Sequence, residues 1–247
     1  MTKTLHSRLR DSSLLTDQAY LAGAWAGADS GKTFPVDNPS TGETLLRVPD
    51  MGRAETARAI EAAHGAQKSW AALTGAARGK LLRKWFELVM ANQDDLASIL
   101  TAEMGKPFAE ARGEVAYGAA YIEWFAEEAR RIYGDIIPGH AEDKRIMVIK
   151  QPVGVVGAIT PWNFPIAMIA RKAAPALAVG CAFISKPAKQ TPLSALALAV
   201  LAERAGLPKG IFSVVTSASS AAIGAEFCEN ERCASSASPA RPKWDAS

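Results

Sequence analysis

Histidine and cysteine are both scarce, three of each in 247 residues. His6, His64 and His140 stand far apart and give no metal-ligand spacing, so no metal site is expected. Cys181, Cys228 and Cys233 form neither a disulfide framework nor a zinc pattern. So few thiols, odd in number, suit a reducing compartment, and a cytoplasmic protein is expected. An excess of one charge is also missing. Lys and Arg number 28 against 25 Asp and Glu, a net +3 with both signs interspersed. That argues against a nucleic-acid or membrane-surface partner. The longest apolar run, 173–184, is broken by Pro175 and Gly180 and falls short of the ~20 residues that span a bilayer. The first fifteen residues mix Lys, Arg and Asp without an apolar centre, so no signal peptide is read there.

What is present is a globular composition, 49% hydrophobic and 21% charged, enough for one large domain or two small ones. Its clearest stretch is 153–216. Val153-Gly154-Val155-Val156-Gly157-Ala158-Ile159 is a short apolar run of the kind that forms a strand buried on both faces. A helix is predicted over Pro165–Val179, stopped by Gly180. Residues 181–185 give a second strand. Thr191 then caps a helix that has Pro192 at its first position and Gly206 past its end, and residues 211–215 give a third strand. The crossovers are long enough to return the chain parallel, which predicts a right-handed βαβαβ unit. Ligands of such sheets bind at the carboxyl ends of the strands, where Thr160, Asn163, Lys186 and Lys189 fall. Ordinary solvated turns are the other reading of topology alone.

The rest of the chain is read around that unit. Residues 1–14 read as a loose leader. Residues 15–46 are short and turn-rich, as in a β-hairpin layer. Three amphipathic helices follow, over Arg53–Ala72, over 78–103 with a break near Asn92, and over 107–133. Their aromatic residues read as core rather than as a ligand box. Residues 131–152 turn extended and resemble an arm. From Cys233 to the end the sequence has no period and reads as disordered.

Several strings here resemble the aldehyde dehydrogenase family, most of all its succinate-semialdehyde dehydrogenase branch. They are Pro152-Val153-Gly154-Val155-Val156, Ile159-Thr160-Pro161-Trp162-Asn163-Phe164-Pro165, Lys186-Pro187-Ala188, Gln190-Thr191-Pro192, Asp37-Asn38-Pro39-Ser40-Thr41-Gly42 and Met104-Gly105-Lys106-Pro107. The resemblance implies an α/β fold: the N-terminal, cofactor-binding half of the family fold, a truncated parallel sheet with flanking helices. Residues 15–230 would be an incomplete dinucleotide-binding domain, 131–152 its interface arm, and 231–247 a non-native tail. It also implies NAD(P)-dependent oxidation of a small aldehyde with a distal carboxylate, in a parent that forms homo-oligomers. Family chemistry uses a cysteine nucleophile and a glutamate base, and neither has a counterpart in this sequence. Asn163 matches the oxyanion-hole carboxamide, with a helix-capping turn asparagine as its alternative. Ile159, Thr160, Pro161 and Trp162 match positions lining the dinucleotide, and Lys186 the lysine that binds the adenosine ribose. Lys189 stands where NAD-preferring members tend to carry glutamate, so NADP is favoured over NAD by charge. Arg171 matches the arginine that binds the distal carboxylate.

The departures are as specific. Ser217 stands where the family usually has glycine at the cofactor turn. An allowed codon spelling of residues 233–247, read one nucleotide earlier, gives Leu-Arg-Lys-Leu-Ser-Phe-Thr-Gly-Ser-Thr-Glu-Val-Gly-Arg-Ile. That is the strand, turn and helix start expected next, so a frameshift just before Cys233 is inferred. Two readings follow. One is a dehydrogenase whose printed sequence has lost its second half. The other is a non-catalytic cofactor-domain remnant that binds a dinucleotide weakly or associates with a full-length relative. In either case the sheet is expected to stop after three strands with an open apolar edge.

Overall fold

The computed structural model describes residues 5–237, with side chains to 234. In chain order come β1 (Ala19–Leu21), β2 (Ala24–Ala26), β3 (Thr33–Asp37), β4 (Thr44–Pro49), α1 (Arg53–Ala72), α2 (Gly75–Ala91), α3 (Gln93–Met104) and α4 (Phe108–Glu128). After these come β5 (Asp135–Pro138), β6 (Arg145–Val148), β7 (Val155–Ile159), α5 (Pro165–Val179), β8 (Ala182–Lys186), α6 (Pro192–Ala205), β9 (Phe212–Val214), α7 (Ala221–Glu229) and β10 (Cys233–Ala237).

The central unit forms where its sequence pattern puts it. Parallel β7, β8 and β9 lie side by side, joined through α5 and α6. Both helices open on a proline and close on Gly180 or Gly206, whose backbones are left-handed at φ 99° and 89°. Helix α6 is apolar nearly all round and almost wholly buried, as a helix enclosed on every side must be. Trp85 reaches from α2 to the carbonyl of Leu198 (3.2 Å), and Trp70 from α1 to that of Leu177 (3.0 Å). Both indoles are fully buried, so the aromatic residues of these two helices are core. On α4, by contrast, Tyr117 and Trp124 are exposed.

Four expectations are corrected. The sheet does not stop at three strands: its order is β10-β7-β8-β9-β1-β2. The β1–β2 hairpin joins it antiparallel at Tyr20↔Val214, while β3–β4 pair apart. Residues 233–237, read as disordered, form β10, parallel to β7 from Cys233↔Val155 to Ala237↔Ala158. A β7 edge presents unpaired N–H and C=O groups that any backbone can satisfy, whatever its side chains. Residues 238–247 lie outside the described residues. The stretch read as a loose leader is tied down in its described part, residues 5–14. Leu5, Leu9 and Leu14 are buried, and Asp95 accepts hydrogen bonds from the amides of Arg10 (2.9 Å) and Asp11 (2.8 Å). Finally, the Thr191 side chain makes no capping hydrogen bond, for a reason given below.

The break expected near Asn92 is present, with Asn92 closing α2. Helix α4 ends at Glu128, short of 133. Helix α7 had no sequence signal; Arg53 of α1 holds it by ion pairs to Glu226 (2.7 Å) and Glu229 (2.6 Å). Residues 135–148 form an antiparallel hairpin exposed along both strands, as an arm would be. Among the described residues no helix is long and apolar enough to cross a membrane.

Candidate functional site

Because β7, β8 and β9 are parallel, their carboxyl ends meet at one edge of the sheet. Ile159 is the cross-strand partner of Lys186, and the Thr160 amide donates to the Lys186 carbonyl (3.1 Å). Ser185 partners Val214, and the Val215 amide donates to the Ser185 carbonyl (2.9 Å). Beyond this edge lies a groove of about 580 Å³, lined among others by Phe34, Met104, Trp162, Lys189, Thr191 and Ala218. Trp162 is 51% exposed, a flat apolar wall open to a ligand.

The Lys186 side chain is buried, and its ammonium makes no hydrogen bond to a described residue. Burial pulls its pKa down to about 8, Asp50 opposing the shift and Lys189 adding to it. Asp50 is itself held by the Ser217 hydroxyl (3.0 Å) and the Ala218 amide (2.9 Å). Serine is accommodated at 217 because the backbone there is not left-handed, so this turn does not require a glycine.

The start of α6 explains why Thr191 does not cap it. Glu103, the penultimate residue of α3, accepts the amides of Leu193 (2.7 Å) and Ser194 (2.8 Å). Burial pushes Glu103 up to about 8 against those hydrogen bonds. The Thr191 hydroxyl is thereby left buried without a hydrogen-bond partner, in the wall of the groove. The exposed indole of Trp162 and the exposed Lys189 in the groove wall, with Lys186 buried at the adjoining strand end, offer a flat apolar face and positive charge to a ligand.

Pro161 and Asn163, also expected at the site, lie just past the end of β7. Pro161 is half-buried and Asn163 exposed, in the turn from β7 to α5. Phe164, not Asn163, is the N-cap, with no side-chain cap hydrogen bond, so the capping alternative for Asn163 fails. Arg171 is exposed on α5, away from the groove. It acts by charge on Tyr121 of α4, opposing the stronger upward effect of the Tyr117 hydroxyl. The structure thus brings Ile159, Thr160 and Lys186 together at paired strand ends and places Trp162 and Lys189 in the groove wall. Arg171 is not among the residues that line the groove.

The sequence matches the aldehyde dehydrogenase family over residues 25–236. The chain belongs to that family. As an aldehyde dehydrogenase family member it is 62% identical over 223 residues to a glutarate-semialdehyde dehydrogenase of Pseudomonas aeruginosa, covering 90% of this chain and 46% of the relative. It is 57% identical to the NADP(+) succinate-semialdehyde dehydrogenase of Escherichia coli over the same shares. A solved succinate-semialdehyde dehydrogenase from Burkholderia pseudomallei superposes with a TM-score of 0.92 at 57% identity, covering 93% of this chain and 48% of that one. The chain spans about half the length of the curated relatives it matches.

Residues that sequence reasoning missed are Glu103, Lys106, Glu114 and Asp50. Glu114 did carry a signal: it stands in the stripe Ala111, Glu114, Val115, Gly118, Ala119 and Ile122 that α4 buries, where a charge needs a partner.

Proposed function

We propose that this chain is the dinucleotide-binding half of an NADP-preferring dehydrogenase acting on an ω-carboxy aldehyde, such as succinate semialdehyde. The observation that carries the reading is Lys189 in the groove wall beside Trp162, with the buried ammonium of Lys186 at the adjoining strand end. Two cations at this edge suit ribose hydroxyls and a 2′-phosphate, where a carboxylate at 189 would repel the phosphate. Backbone and apolar surface at Ile159, Thr160, Pro161 and Trp162 would orient the dinucleotide. Bound there, a nicotinamide would supply the hydride acceptor.

In this reading the Asn163 carboxamide donates an N–H to the alkoxide that develops on the aldehyde. Donors of this kind supply ~2.7–4 kcal/mol. Arg171 would receive the distal carboxylate in a two-pronged hydrogen bond. The relatives this chain resembles, glutarate- and succinate-semialdehyde dehydrogenases by name, support that class. The thiolate and the general base that this chemistry needs have no counterpart in these 247 residues, and on this reading the residues as given would not turn over aldehyde by themselves. Reading the coding DNA from codon 225 onward tests the frame. A one-base correction opening onto a cysteine and a glutamate makes it a full-length dehydrogenase.

The cofactor reading is tested by titrating the chain with NADPH and NADH. NADPH binds more tightly, and Lys189→Glu reverses the order. Equal affinities in both proteins would sink it. A second reading, a non-catalytic remnant that associates with a full-length relative, is favoured by the exposed 135–148 hairpin. It predicts dinucleotide binding or co-purification without turnover from the gene as written.

A further inference from the structure

Between β7 and α5 the chain crosses an exposed turn, yet one point of it is gripped from below. Lys106, two residues past the end of α3, lies almost out of solvent, with 9% of its side chain exposed. Its ammonium makes three contacts. It donates to Glu114 Oε2 (2.5 Å) and to the backbone carbonyl of Asn163 (3.1 Å), and it stands 3.9 Å from the centroid of the Phe164 ring. Glu114, with 1% of its side chain exposed, turns its other oxygen to the amides of Ile166 (3.0 Å) and Ala167 (3.4 Å). Those amides need an acceptor because Pro165 opens the helix and no side chain caps it. Helix α4 can reach them because Gly118, one turn after Glu114, lies against α5. A Cβ there would stand 3.0 Å from Ile166 Cγ2.

We infer that Lys106 and Glu114 are positioning residues for Asn163, clamping the turn so that its carboxamide holds one direction. This rests on the reading of Asn163 as the oxyanion donor. The Asn163 side chain makes no hydrogen bond to any described residue, so its aim is set by its backbone alone. Lys106 fixes the carbonyl of that residue and the ring of the next, and Glu114 fixes the two amides that follow. A lysine needed only to neutralise Glu114 would make one of these contacts, not three. One oxygen of the carboxylate, the Asn163 carbonyl and the Phe164 ring meet a single buried cation, while the other oxygen takes the two helix amides, so the turn is held by one connected polar network.

Asn163-Phe164 is the one Asn-Phe pair in the sequence. Labelling the 247-residue chain with carbonyl-¹³C asparagine and ¹⁵N phenylalanine therefore yields a single carbonyl–amide cross-peak. That peak reports the carbonyl on which Lys106 sits. Lys106→Met/Glu114→Gln removes both buried charges together, so no unpaired ion is left to unfold the chain. In that variant the peak is expected to move and to broaden or split, with the rest of the amide spectrum retained. Lys106→Arg keeps the cation and is expected to hold one sharp peak near the wild-type position, the safeguard should the double variant fold poorly. One sharp, unmoved peak in the folded double variant overturns the clamp, as does a Lys106→Arg peak as broad as that of an unfolded chain. Neither result depends on whether Asn163 serves as a donor. That reading stands or falls separately on NADP-linked turnover by Asn163→Ala once the reading frame is restored.

Discussion

Glu103 and Glu114 make the same contact on two different helices. Each accepts the two amides that follow a helix-opening proline: Glu103 gives one oxygen to Leu193 and the other to Ser194 after Pro192, and Glu114 gives a single oxygen to both Ile166 and Ala167 after Pro165. Proline at the first position has no N–H, which leaves the next amides as the helix's orphan donors. The carboxylates therefore arrive from α3 and α4 to close α6 and α5 at the ligand-facing end of the sheet. The two differ in company. Lys106 stands against Glu114, while among the described residues no ion pair reaches Glu103.

Glu103 makes stability depend on pH. Its ordinary value is 4.5, and burial raises it to about 8 in the folded chain. Between those values the unfolded chain has released a proton that the folded chain still holds, so stability falls as pH rises through that window. Glu103→Gln removes the slope, at the cost of about 1 kcal/mol for the amide left without an acceptor. Thermal melts between pH 5 and 8 should show the wild type losing stability as pH rises and falling below the variant, which stays level. Parallel curves would show that the carboxyl does not titrate there.

Lys186 carries the opposite dependence, and it reads out in binding. Its pKa is lowered to about 8, so above that pH the ammonium is lost from the edge of the groove. Dinucleotide affinity is expected to decline above pH 8, by at most about tenfold per pH unit for one proton. Lys186→Met should bind weakly with no such decline. Calorimetric titrations at pH 7, 8 and 9 decide it.

Gly157 lets α7 lie on β7. A Cβ at this position would fall 2.7 Å from the Phe227 ring, and overpacking of that kind costs about 1–3 kcal/mol. Gly157→Ala should lower the denaturant midpoint, and adding Phe227→Leu should recover part of the loss. Additive losses would mean that the ring is not what Gly157 makes room for.

Apolar surface left open should make the chain associate. Ile136, Met147 and Ile149 of the hairpin segment are 75%, 74% and 66% exposed, and Trp124 of α4 is 64% exposed. Patches of this kind mark contact surfaces. Sedimentation should show concentration-dependent association that Met147→Asp weakens. A wild-type chain that stays monomeric at high concentration and melts in one sharp transition would contradict this.

The legible parts of the sequence were those governed by short-range rules. The observed limits of α5 and α6, Pro165–Val179 and Pro192–Ala205, follow from proline at the start and glycine at the end, and the three parallel strands from short apolar runs between turns. The strand ends then gathered Ile159, Thr160 and Lys186 without further information. What stayed hidden depends on distant partners. Glu103 and Leu193 are 90 residues apart, and Glu114 and Ile166 are 52, so local spacing pointed to Thr191 as the cap instead. Leu5, Leu9 and Leu14 looked like isolated leucines because the surface that buries them is assembled from later helices. Strand β10 was illegible because nothing in Cys233-Ala234-Ser235-Ser236-Ala237 has the β-branched or aromatic character of a strand.

That last strand bears on how damage to this gene would be felt. Its partners on β7 are backbone groups, and they accept the five small residues Cys233 to Ala237 without any apolar run. A change of sequence at this point would therefore leave the hydrogen-bond ladder closed all the same. Folding surveillance, which responds to open edges and exposed interiors, would find little to act on here. The loss would surface first as missing chemistry, in a protein that still looks finished along this side.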